Sequence, residues 1–268
     1  MRLAFWRRPR VPVIELHGVL ASRPGGLNIA GYGALIDAAI RSARKGGTVI
    51  LDIDSPGGSP VQSDLIAQRI RRRAEAAGVR VCAVIGEVGA SGGYWLACAA
   101  DEIVAHPMSV VGSIGVVGGG FGFDAAIARL GVQRRLYTAG ENKARLDPFS
   151  PERPQDAAFV RALLAELHER FKAWVRERRG GRLKGDEAAA FDGGWMLGER
   201  ALALGLVDRC GDLDALVRAI GGPRARPRSF RPRRRWPLLG RLPRLFVHEA
   251  MEAALEVAEA RRGPQARF

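Results

Sequence analysis

Two residues stand out as able to do chemistry: a serine set among glycines, and a lysine in a chain that otherwise uses arginine. Ser91 lies in Gly86-Glu87-Val88-Gly89-Ala90-Ser91-Gly92-Gly93-Tyr94, a run of small residues leading into a helical segment. A serine at a helix start serves as an N-cap. A nucleophile uses the same place, because the following N–H groups and the helix dipole favour an oxyanion and small neighbours admit substrate. A second loop, Asp54-Ser55-Pro56-Gly57-Gly58-Ser59, leads from an apolar run into another helical pattern. Its paired glycines let backbone amides approach a ligand closely. An ordinary strand-to-helix turn reads the same way, so neither loop decides the matter alone.

A serine hydroxyl needs a base. The histidines are His17, His106, His168 and His248, and none has a Ser/His/Asp context. Lysine occurs only at Lys45, Lys143, Lys172 and Lys184, among 38 arginines. Three of these sit on or beside helical patterns, where a solvated face accounts for them. Lys143 sits in the loop Gly140-Glu141-Asn142-Lys143-Ala144-Arg145. Lysine loses its proton when desolvated, whereas arginine effectively does not.

The elements that must position these residues alternate. Val11 to Gly18 reads as a strand, and Tyr32 to Arg44 has helical periodicity. Thr48 to Ile53 is a continuous apolar strand, Val61 to Ala77 a helix, and Arg80 to Ile85 a second buried strand. Gly86 to Ala90 reads as a loop. A short strand follows at Glu102 to Ala105, then a helix at Phe123 to Leu130, a strand at Val132 to Tyr137 and a long helix at about Gln155 to Arg179. Strand–loop–helix units at this spacing predict an α/β fold with a parallel sheet flanked by helices.

The ordered set of motifs resembles the signal peptide peptidase A family, the protease-IV-like serine peptidases. The motifs are Ser55-Pro56-Gly57-Gly58, Ala90-Ser91-Gly92-Gly93-Tyr94, Gly112-Ser113-Ile114-Gly115-Val116, Lys143 with Asp147-Pro148-Phe149-Ser150-Pro151, and Gly194-Trp195-Met196-Leu197-Gly198-Glu199-Arg200-Ala201. They cover about residues 11–222. The resemblance implies a Clp-protease/crotonase-like fold of repeated ββα units and a serine endopeptidase. It implies Ser91 as nucleophile, Lys143 as neutral general base, the Gly58 and Gly92 amides as oxyanion hole, and Ser113 orienting the lysine amine. Arg145 would help keep that amine uncharged by like-charge repulsion. The sequence shows no metal cluster and no nucleotide fingerprint, so no metal or cofactor is expected. The resemblance further implies extended peptide substrates pairing with Ser59–Val61 and Val116–Gly118, and a homo-oligomer in which neighbouring copies complete the site. Two rivals keep the scaffold: an acyl-CoA enzyme, and an adaptor that has lost catalysis.

The net charge of +14 belongs to the ends. Residues 223–244 hold nine arginines and no acid, and residues 1–10 hold four more, whereas residues 11–222 carry 26 basic and 24 acidic side chains. The expected organisation is a basic segment 1–10, a peptidase domain 11–222 and an Arg/Pro-rich extension 223–268 with a terminal helix at Met251 to Arg261. The extension interleaves Trp236, Leu238, Leu239, Leu242, Leu245 and Phe246 with arginine, which suits peripheral membrane contact through 223–246 better than nucleic acid. No stretch reaches the roughly 18 apolar residues of a membrane span, and no signal peptide is read at the start. The expected location is therefore cytoplasmic or at a membrane surface. Cys82, Cys98 and Cys210 fit no metal or disulfide spacing.

Overall fold

A computed structural model describes residues 9–232. In chain order its elements are strand β1 (Arg10–His17), helix α1 (Ile29–Ala43), β2 (Thr48–Ser55), α2 (Pro60–Ala77), β3 (Arg80–Ala90), α3 (Gly92–Ala97), β4 (Glu102–Ala105) and β5 (Val110–Gly112). They continue with α4 (Asp124–Arg129), α5 (Pro154–Arg179), α6 (Glu187–Phe191), β6 (Trp195–Leu197), α7 (Gly198–Ala203), β7 (Arg209–Cys210), α8 (Leu213–Gly221) and β8 (Arg226–Phe230).

One mostly parallel sheet organises the described chain. Its main path runs β6-β5-β3-β2-β1-β8, with β4 on β3 and β7 on β4, and only the β5–β6 pair is antiparallel. The unbroken apolar runs are explained by burial on both faces. Val49, Leu51 and Ile53 of β2 join a large core with α1, α2, α3 and α5, while Ile50 faces a smaller one with Leu216 and Val217 of α8. Asn28 caps α1 by accepting from the Gly31 amide, and Ser59 caps α2 by accepting from Gln62.

Three expectations are corrected. Gly86 to Ala90 is not a loop: β3 continues through it, pairing Val88, Gly89 and Ala90 with Val110, Val111 and Gly112. Gly89 serves space rather than turning, since a Cβ there would meet the Ile85 side chain at 2.7 Å. Residues 132–137 form no strand; no neighbouring strand among the described residues offers them a ladder. The boundary expected after Gly222 falls too early, because β8 adds an edge strand beside β1 with Arg226 opposite Arg10 and Phe230 opposite Ile14. The helix expected at 251–261 lies outside the described residues.

A buried ion pair fixes the helix that follows Ser91. Arg179, 1% exposed at the end of α5, donates from Nη2 and Nη1 to the two oxygens of Asp208 at 2.8 and 2.9 Å, and also to the Gly205 carbonyl. Asp208 accepts from the Ile103 amide at 2.7 Å. Tyr94 of α3 donates to the Leu206 carbonyl at 2.7 Å, so the same turn anchors α3.

Candidate active site

The carboxyl end of the sheet around Ser91 is built by close backbone approach. β3 ends at Ala90, and Ser91 enters α3 with φ 52° and ψ −121°, a conformation that L residues rarely adopt. Its amide donates to the Gly112 carbonyl at 2.8 Å. Gly57, with φ +100°, passes so close that a Cβ would sit 2.8 Å from the Ser91 Cβ and 2.7 Å from the Gly92 amide nitrogen. Gly58, φ +137°, packs on the Leu20 carbonyl, and Gly93 packs on the carbonyl of Ser55. The Gly57 carbonyl accepts from the Leu20 amide and the Ser59 amide donates to the Leu20 carbonyl, stitching this loop in place. Among the described residues neither the Gly58 nor the Gly92 amide makes a hydrogen bond.

Ser91, Gly58, Gly92 and Ser113 line one cavity of about 960 Å³. Ser113 also has positive φ, 51°, and its amide donates to the Gly194 carbonyl at 2.6 Å. The floor is aromatic. Trp95, one turn beyond Ser91, packs against Phe171 at 5.1 Å and stacks on Trp174 at 5.9 Å between ring centroids. The Trp174 indole donates to the Trp95 carbonyl at 3.1 Å. Phe171 and Trp174 were legible in the sequence only as apolar positions of a long helix. His168 of α5 also lines the cavity, and its Nε2 donates to the Ile114 carbonyl at 2.9 Å, tying down the segment that carries Ser113.

Lys143 stands apart. It is exposed in the turn that closes from its own amide to the Gly140 carbonyl, and it does not line the cavity. Arg145, expected to repel the amine, has its guanidinium 3.0 Å from Asp156 and 4.4 Å from the Phe159 ring centroid, and donates to the Asn142 side chain at 2.7 Å. Of the two flanks expected to pair with a peptide, Ser59–Val61 is taken by the start of α2, while Val116–Gly118 has no regular structure and Val117 is 96% exposed. The remaining described histidines are engaged elsewhere. His17 Nε2 lies 3.0 Å from Asp52, and His106 Nδ1 accepts from the Met108 amide.

The model of peptidase family S49 matches residues 73–221, a span that holds Ser91, Ser113 and Lys143. The chain belongs to peptidase family S49. It is 31% identical to the probable protease SohB of Buchnera aphidicola over 70% of this chain and 55% of that one. It is 28% identical to the chloroplastic serine protease SPPA of Arabidopsis thaliana, over 78% of this chain and 32% of the relative. A 42% identity extends over 86% of this chain and 31% of a Brucella abortus protein named Na(+)/H(+) antiporter NhaA. The chain thus spans about a third to just over half of these relatives. No helix of the described residues is long and apolar enough to cross a membrane.

Proposed function

We propose that this chain is a serine endopeptidase in which Ser91 and Lys143 form a dyad. The observation that carries the reading is that a strained serine, two glycine amides with no hydrogen bond among the described residues and a second serine line one cavity. Ser91 Oγ attacks the scissile carbonyl while its proton passes to the uncharged Lys143 amine. The Gly58 and Gly92 amides stabilise the oxyanion, and Ser113 orients the amine. The amine then protonates the departing peptide nitrogen. Water, deprotonated by the same amine, hydrolyses the acyl-enzyme and frees Ser91.

The lysine comes from a neighbouring copy in a homo-oligomer. Lys143 is outside the cavity of its own chain, and the segment around it exposes Phe121, Leu130 and Tyr137 at 77–89% of their surfaces. Apolar side chains so exposed support a covering partner. The aromatic floor favours apolar side chains, and the exposed Val116–Gly118 segment, free of regular structure, would take up a strand beside a bound peptide. Signal-peptide remnants and unfolded membrane-associated polypeptides meet both demands.

The test is a serine-reactive probe with mapping of the modified residue. Label on Ser91, lost in Ser91→Ala along with peptide cleavage, is the expected result. Cleavage by Ser91→Ala at the wild-type rate would overturn the assignment.

A further inference from the structure

Six basic side chains gather at the end of the sheet opposite Ser91. Arg10 begins β1, and the register sets Arg226 directly beside it and Arg228 beside Pro12. Arg41 ends α1, and Arg44 and Lys45 form the turn that starts β2. β1 and β2 pair Val13 with Ile50, which brings that turn level with Arg10. All six are exposed, and no described acid lies within ion-pair distance of any of them. Arg228 stacks over Phe230 at 5.1 Å. The α1 C-terminus accounts for Arg41 through the helix dipole. It does not account for Arg10 and Arg226, like charges on adjacent strands, an arrangement that destabilises a sheet unless an anion screens it.

β8 is also shaped to refuse a strand partner. Pro227 removes an edge donor, and Arg226, Arg228 and Ser229 stay exposed. Beside it, a polar notch of about 310 Å³ is lined by Arg218, Arg224 and Arg226, with Asp214 paired to Arg218 at 3.2 Å. The chain enters β1 at this end from residues 1–8, whose sequence sets Leu3, Phe5 and Trp6 among Arg2, Arg7 and Arg8. Arginine interleaved with apolar and aromatic residues is the composition of a lipid interface.

We propose that this end is a docking face for an anionic lipid bilayer, with phosphate headgroups filling the space between the paired arginines. β3 (Arg80–Ala90) runs from this end to Ser91, and at about 3.3 Å per residue it sets the nucleophile roughly 36 Å from the lipid surface. Substrates then reach Ser91 from the aqueous side, as segments already outside the hydrocarbon core.

The test is co-sedimentation of the full-length protein with vesicles of phosphatidylglycerol and phosphatidylcholine, against vesicles of phosphatidylcholine alone. Binding to the anionic vesicles only, weakening as salt rises, is expected. The variant Arg10→Glu/Arg44→Glu/Arg226→Glu should bind at least about tenfold more weakly, while its Ser91 labelling by the serine-reactive probe, which also reports folding, stays at the wild-type level. Three results would overturn the proposal: no preference for anionic vesicles, undiminished binding by a variant that labels normally, or tighter salt-sensitive binding to duplex DNA or RNA than to vesicles. None of them bears on the Ser–Lys reading.

Discussion

The amide of Ser91 and the carbonyl of Gly112 meet at 2.8 Å, so the strand leading to Ser113 is latched to the serine's own backbone. Ser91 and Ser113 are therefore held by one backbone contact, and a base serving Ser91 has to reach that place.

If the base crosses between copies, two inactive variants rescue each other. Ser91→Ala and Lys143→Ala should each lose at least about 10³-fold in peptide cleavage. Assemblies formed by co-expressing the two in equal amounts should recover about a quarter of the wild-type rate, since half the serines survive and half of those face an intact lysine. Mixed assemblies as inactive as either parent would place both residues in one chain.

Gly57 has no room for a side chain. Gly57→Ala combines a φ of +100° with a Cβ pressed on Ser91. The strain costs about 1–3 kcal/mol, and the displaced serine should lower kcat by more than the loss of stability explains. Denaturant unfolding beside steady-state kinetics separates the two. A variant of unchanged kcat would show that the contact is not transmitted to Ser91.

His168 should matter through its hydrogen bond to Ile114. Its loss in His168→Ala should cost about 1 kcal/mol of stability and about tenfold in kcat, with a smaller change in KM. His168→Gln keeps a donor and should restore part of the rate. Equal defects in the two variants would mean that the ring's bulk, not the bond, is what counts.

The Arg179–Asp208 pair predicts an acid limit to stability. Burial pushes the Asp208 carboxyl up, but the Arg179 hydrogen bonds, the Ile103 amide and the nearby Arg179 and Arg182 charges outweigh it and hold the group below its ordinary value. Its contribution is fully present above the unfolded carboxyl value of about 3.9 and is lost as pH falls through the lower folded value. Arg179→Ala should cost about 3–5 kcal/mol at neutral pH. Asp208→Asn, which no longer titrates, should lose stability less steeply than wild type below about pH 4. Parallel stability–pH curves would remove this pair from the acid response.

The parallel sheet was readable because Val49–Leu51 and Val81–Ile85 are apolar at every position, a pattern that two covered faces explain. Gly58, Ser91, Gly92 and Ser113 were grouped in the sequence only through the family resemblance, because the strand Val110–Gly112 that leads to Ser113 is too short to read from its pattern. Gly86 and Gly89 misled because a glycine demanded by a crowded strand looks the same as one demanded by a turn. β8 was hidden because an edge strand exposed along most of its length needs no apolar residues before Phe230. The aromatic floor escaped notice because Phe171 and Trp174 fit the ordinary inner stripe of a helix, and nothing local shows that the stripe borders a cavity.

The stacked indoles of Trp95 and Trp174 give the cavity an optical signature. Any peptide side chain that reaches the floor changes the polarity around both rings at once, so occupancy registers as a shift in ultraviolet emission before a bond is cut. An inert Ser91→Ala protein would keep that signal, and binding could then be followed with turnover silenced.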